Sequence, residues 1–241
     1  GSTSAVVFPT VHKASVDALF EGALERGMRL IAGKVLMDRH APKTLCDDID
    51  DVDSAEADCH ELIERWHGRG RLAYAVTPRF APTSSDAQLA MAGRLLASRD
   101  GLYMQTHVAE NPDEVRWVAE LFPKARSYLD VYERHGLLNQ RSVLAHGIWL
   151  DAADRARLHT LGAQIAFCPS SNLFLGSGLF DWPATAAAGV KVSVASDVGG
   201  GTSLSMQRTL ADGYKVQASL GKGRGHDLSA WYALHAATRG A

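Results

Sequence analysis

Apolar runs of a strand's length, rich in β-branched residues and bounded by turn residues, recur at fairly regular intervals along the chain, the mark of short buried strands. They predict strands over Thr3–Phe8, Arg29–Leu36, Leu72–Val76, Leu102–His107, Ser142–His146, Gln164–Cys168 and Val190–Ala195. Between them the apolar spacing becomes helical, over Ser15–Arg26, Ser54–Arg69, Ser85–Arg99, Pro112–Phe122, Asp151–Leu161 and Asp181–Ala188, with a last helix near Leu228–Ala237. Start signals agree with the periodicity: Asp151 precedes Ala152-Ala153-Asp154, and Ser54 carries Glu56 in its first turn. Gly27, Gly70, Gly101, Gly162 and Gly189 each stop the preceding helix. The glycine-rich stretch Gly221–Gly225 reads as a loop before the last helix.

Strands alternating with helices imply parallel pairing through right-handed crossovers, either in a doubly wound open sheet or in a closed (β/α) barrel. A doubly wound nucleotide-binding sheet places G-x-G-x-x-G after its first strand, whereas here that strand runs into Phe8-Pro9-Thr10-Val11-His12. The expected fold is therefore α/β, a TIM-like (β/α) barrel, in which chemistry gathers at the C-terminal ends of many strands. Those ends carry Asp38, Arg79, His107 with Glu110, His146, Asn172 and Asp197. No linker or shift in composition divides residues 1–241, which predicts one domain.

Composition narrows the function. With 46% hydrophobic and 22% charged residues the chain has the make-up of a globular domain, and disorder and collagen are excluded. The 25 Lys and Arg nearly balance the 27 Asp and Glu, so no electrostatic case exists for nucleic acid or an anionic membrane as partner. Cys46, Cys59 and Cys168 are odd in number and widely spaced, which fits a reducing compartment. With neither a bilayer-spanning apolar run nor a signal-peptide pattern, a cytoplasmic location is expected.

In Gln105-Thr106-His107-Val108-Ala109-Glu110 a histidine three residues before a glutamate can present imidazole and carboxylate to one pocket. His146 ends the next strand, and Asp197 follows the last one. Two histidines, a glutamate and an aspartate at one barrel rim would be costly to bury unpaired, and a divalent cation offsets that cost. Competing motifs fail. His60-Glu61-Leu62-Ile63-Glu64 lacks the second histidine of H-E-x-x-H, and Cys168-Pro169-Ser170-Ser171 does not supply the P-C-x-x-C of cytidine-type deaminases, leaving Cys168 as a buried small residue. Gly199-Gly200-Gly201-Thr202 lacks the lysine of a P-loop and reads as a tight turn. Arg79-Phe80 couples a planar donor fork to an aromatic face, which suits a flat heterocycle.

These residues carry a resemblance that covers nearly the whole chain. Gly33-Lys34-Val35-Leu36-Met37-Asp38, Thr77-Pro78-Arg79-Phe80, the His107 to Asn111 segment, Ala145-His146-Gly147, Cys168 to Leu173 and Ser196-Asp197-Val198-Gly199-Gly200-Gly201 resemble, in order, the guanine deaminase branch of the amidohydrolase superfamily. The resemblance implies hydrolysis of guanine to xanthine and ammonia with one zinc ion, in purine catabolism. It implies His107 and Asp197 as zinc ligands, Glu110 as proton shuttle, and His146 as partner of the attacking water or substrate. It places Arg79 and Phe80 in the purine pocket, with His107, Glu110 and Asp197 also facing the substrate. Its members commonly form homodimers.

The family takes two further zinc ligands from an H-x-H pair on its first barrel strand, and none of the ten histidines here forms such a pair. Seven strands rather than eight, a start at Gly1-Ser2 without Met, and an end short of the family's accessory β-sandwich segment lead to the expectation of an internal portion of a longer enzyme, inactive by itself. Two other readings stand beside this one: a related hydrolase acting on an amino- or chloro-substituted triazine, pterin or adenine-like ring, and a non-catalytic ligand-binding barrel.

Overall fold

The computed structural model describes residues 2–221 and 228–240, so of the expected loop Gly221–Gly225 all but Gly221 lies outside the described residues. The chain divides into two compact units, Gly1–Thr106 with Val131–Ser142, and His107–Asp130 with Val143–Ala241.

The first unit alternates β1 (Ser4–Val7), α1 (Lys13–Glu25), β2 (Arg29–Ala32), β3 (Val35–Leu36), α2 (Val52–Trp66), β4 (Leu72–Pro78), α3 (Asp86–Ala97) and β5 (Tyr103–Val108), whose last two residues fall in the second unit. Its pairings are all parallel: Ser4 lies opposite Arg29, Leu30 opposite Leu72, Val35 opposite Thr77 and Ala75 opposite Tyr103. The expected strand Arg29–Leu36 is thus two strands. At Gly33 the chain passes so close to β4 that a Cβ would sit 1.8 Å from the Ala75 carbonyl oxygen, and the ladder breaks there. Next to the break, Lys34 turns inward and pairs with Asp47, whose carboxyl burial pushes above its ordinary value. Strand β4 reaches Pro78, two residues further than its apolar run suggested. Phe20 and Trp66 stack at 5.5 Å under the strands, and the Trp66 indole N–H donates to Asp17 at 2.6 Å.

Helix α2 begins before the expected Ser54, because the Asp51 carboxylate already accepts the Ser54 N–H at 3.1 Å. At α3, Ser85 caps the Gln88 N–H at 3.1 Å. His60 is exposed on α2, and neighbouring Glu61 pairs with Lys13, so the partial H-E motif is a solvated helix face.

After β5 come α4 (Pro112–Leu121) and α5 (Tyr128–Arg134), and then β6 (Ser142–His146), α6 (Ala152–Leu161), β7 (Gln164–Phe167), α7 (Pro169–Phe174), α8 (Trp182–Ala187), β8 (Lys191–Val194), α9 (Met206–Ser219) and α10 (Ala230–Ala236). Strands β6, β7 and β8 pair in parallel, Val143 with Gln164 and Gln164 with Lys191. Asp151 caps α6 through the Asp154 N–H at 2.7 Å, as expected. The second unit's core holds an aromatic cluster: Phe167 stacks on Phe180 at 4.8 Å, Trp182 meets Phe167 edge-on, and the exposed Tyr232 meets Trp182 edge-on from outside. Helices α5, α7 and α9 were not expected. In α9 the buried positions are Thr209, Gly213 and Val216, a helical spacing carried mostly by residues that a hydrophobicity pattern does not register. Among the described residues no helix is long and apolar enough to cross a membrane.

Candidate active site

Three strand ends of the second unit leave the sheet through left-handed backbone: Ala109 (φ 47°) after β5, His146 (φ 70°) at the end of β6 and Asp197 (φ 46°) after β8. For residues other than glycine such conformations cost about 1–3 kcal/mol each and persist where surrounding contacts enforce them. Here the enforcing contacts are visible. The Gly147 N–H donates to the Val108 carbonyl at 2.9 Å and the Trp149 N–H to that of Ala109 at 3.1 Å, lacing the loops after β5 and β6 together. The Gly201 N–H closes the loop after β8 on the Asp197 carbonyl at 2.5 Å. These sharp turns face His146, Glu110 and Asp197 toward one another.

His146 is 1% exposed, and its Nδ1 lies 2.8 Å from Oδ1 of Asn172, itself 1% exposed. With an amide oxygen as partner, Nδ1 donates and Nε2 is the nitrogen turned toward the carboxylates. That nitrogen faces Oε2 of Glu110 at 3.7 Å and Oδ2 of Asp197 at 3.9 Å, both beyond hydrogen-bond length. The His107 ring lies alongside, its centroid 5.4 Å from that of His146 and tilted by 23°. Glu110 is held from the other side by the Ser177 hydroxyl, which donates to Oε1 at 2.9 Å. Its backbone N–H donates to the Glu114 carboxylate at 3.1 Å. Glu114 also closes the capping box of α4 with Asn111, so the helix start and the strand end share one anchor. Burial raises the Glu114 carboxyl above its ordinary value, and the nearby Glu110 adds to the effect.

Two carboxylates converging on one imidazole nitrogen without hydrogen bonds between them repel one another unless a cation or proton lies among them. The donor set therefore fits a divalent metal. His146, Cys168 and Asp197 offer ligand atoms all within 4.8 Å of one another. Cys168 does not complete a thiolate site: its S–H donates to the Ala166 carbonyl at 3.3 Å, and burial pushes the thiol well above its ordinary value. That leaves imidazole nitrogen and carboxylate oxygen, the ligand chemistry of catalytic zinc.

Arg79 and Phe80 belong to the first unit, directly after β4. The Arg79 guanidinium lies over the Phe80 ring at 5.1 Å from its centroid, and the Arg79 backbone is fixed by bonds to Leu36 and Thr106. Asp38 anchors a loop. It is 5% exposed, and both its oxygens are taken by the N–H and hydroxyl of Ser85, which ties the loop after β3 to the start of α3.

Sequence reasoning put Asn172 at a strand end without giving it a task, and it overlooked Ser177. The only local signal was a serine between two glycines in a turn, and Ser177 meets Glu110 across a separation of 67 residues.

The chain is 49% identical over 243 residues to guanine deaminase of Escherichia coli (strain K12), a match covering 100% of this chain and 53% of that protein. The solved structure of E. coli guanine deaminase superposes with a TM-score of 0.94 at 48% identity, over 100% of this chain and 55% of that one. A guanine deaminase from C. acetobutylicum, solved with guanine bound in its active site, gives 0.92 at 28% identity, over 99% and 57%. The chain spans about half the length of the curated relatives it matches. The parallel α/β fold is thus of the barrel type expected for metal-dependent hydrolases. The model of the amidohydrolase family matches residues 1–241, and the chain belongs to that family.

Proposed function

We propose that this chain takes part in the hydrolytic deamination of guanine to xanthine and ammonia, with one zinc ion. The observation that carries the reading is the approach of the Glu110 and Asp197 carboxylates to Nε2 of His146 at 3.7 and 3.9 Å, in a chain 49% identical to a guanine deaminase.

In this reading His107 and Asp197 hold the metal, together with two histidines of an H-x-H pair that the ten histidines of this chain do not include. Zinc there supplies Lewis acidity, which makes water nucleophilic near neutral pH. Glu110 takes one proton from the attacking water and delivers it to the ring nitrogen, then takes the second from the hydroxyl added to the ring carbon and gives it to the amine, so that the C–N bond breaks and ammonia leaves neutral. His146, its Nδ1 engaged by Asn172, orients the nucleophile through Nε2. Arg79 donates to the polar edge of the purine and Phe80 packs on its face. A cytoplasmic, homodimeric protein whose partner is a small purine, rather than nucleic acid or membrane, belongs to the same reading.

The test is Glu110→Gln in the zinc-loaded enzyme with its H-x-H pair present. Zinc content should be unchanged while ammonia release from guanine falls by about 10²–10⁴-fold, the usual worth of a positioned acid-base group. Near-normal release would remove Glu110 from the mechanism. Assayed in parallel, triazine, pterin and adenine substrates should lag behind guanine; faster turnover of any of them would move the substrate within the family.

A further inference from the structure

Glu110 is long enough to place its carboxylate in several directions, and acid-base transfer requires one of them. Oε1 accepts the Ser177 hydroxyl at 2.9 Å, while Oε2 is left facing His146. Ser177 is 4% exposed, and its backbone is pinned on both sides: its N–H donates to the Asn172 carbonyl at 2.9 Å, and its carbonyl accepts the Trp149 indole N–H at 2.9 Å. Asn172 in turn holds Nδ1 of His146 through its side chain. One short segment, from the end of α7 to Ser177, therefore grips the carboxylate with one side chain and the imidazole with another. A hydrogen bond within its own backbone sets the distance between the two grips.

We propose that Ser177 is a positioning residue for the reaction: its hydroxyl occupies Oε1 of Glu110 so that Oε2 alone carries the transferred proton. The role rests on the reading of Glu110 given above. It differs from a packing role, because a serine needed only to fill space would act independently of Glu110, whereas a serine acting through the carboxylate has nothing left to position once that carboxylate is gone.

The experiment is a double-mutant cycle in the zinc-loaded enzyme with its H-x-H pair present: Ser177→Ala, Glu110→Gln and the pair, with Ser177→Thr as the hydroxyl-retaining control. Ser177→Ala should lower kcat for guanine by about 10–100-fold, as loss of a supporting partner does, with KM changed less than about threefold and zinc content unaltered. Added to Glu110→Gln, the same change should lower the residual rate less than about twofold, and Ser177→Thr should recover most of the parent kcat. A Ser177→Ala enzyme within twofold of the parent, or one that loses as much in the Glu110→Gln background, overturns the proposal. If threonine does not fit and the protein unfolds, the cycle still decides. The two readings fail separately: an active Glu110→Gln enzyme removes the acid-base assignment, whereas an inactive one beside an undiminished Ser177→Ala enzyme removes only the role of Ser177.

Discussion

Nδ1 of His146 and Oδ1 of Asn172 stand 2.8 Å apart, and that bond selects which imidazole nitrogen meets the carboxylates of Glu110 and Asp197. Without it the ring can turn over or change tautomer. Asn172→Ala in the zinc-loaded enzyme with its H-x-H pair present is expected to lower turnover by about 10–100-fold, the range for partners that orient a site's histidine. Steady-state kinetics beside a thermal melt checks this; unchanged kcat in a folded protein would show the ring needs no such anchor.

Cys168 lies near enough to His146 and Asp197 to pass for a ligand, yet its S–H is already used on the Ala166 carbonyl. Cys168→Ala should therefore retain a full zinc complement after dialysis and turn over guanine within a few-fold of the parent. Loss of the metal would put sulfur in the ligand set.

Asp197 depends on the turn that follows it. A Cβ on Gly201 would lie 1.9 Å from the Ser196 carbonyl oxygen, so Gly201→Ala has to push apart the loop that presents the carboxylate. The expected outcome is at least about a tenfold loss of zinc affinity, since a displaced ligand no longer meets the others. Titration against a zinc-selective chelator measures it, and parent-like affinity would show that the loop adapts.

Glu114 carries a pH dependence of stability. Its carboxyl is raised by burial above the ordinary 4.5, so the folded state binds this proton more tightly than the unfolded chain does. The ionised group therefore costs stability at neutral pH, and the cost fades as pH falls through the raised value toward the ordinary one. Glu114→Gln keeps an oxygen for the N–H groups of Glu110 and Asn111 and removes the titration. Its thermal midpoint should exceed the parent's at pH 7 by a margin that shrinks as pH falls toward the ordinary 4.5. A margin independent of pH would mean that this carboxyl does not titrate with folding.

Much of this molecule was legible in its sequence because the signals are local. Buried parallel strands read as continuous apolar runs, and the residues at or just past their C-terminal ends, His107, Glu110, His146 and Asp197, could be named from the rule that barrel chemistry sits at strand ends. Asp151 and Ser85 cap their helices through side chains three residues from the N–H groups they satisfy, well within a sequence window. Helix α9 escaped because a threonine and a glycine occupy two of its buried positions.

What only the tertiary structure decided is orientation. That His146 offers Nε2, that Glu110 offers Oε2, and that Asp38 is spent on Ser85 each depend on a hydrogen bond between residues 26 to 67 positions apart. The amino-acid sequence by itself determined which groups are available and which element carries each. Their directions follow from strained turns and long-range hydrogen bonds that exist only once the strands have paired, because neither has a preferred geometry in the unfolded chain.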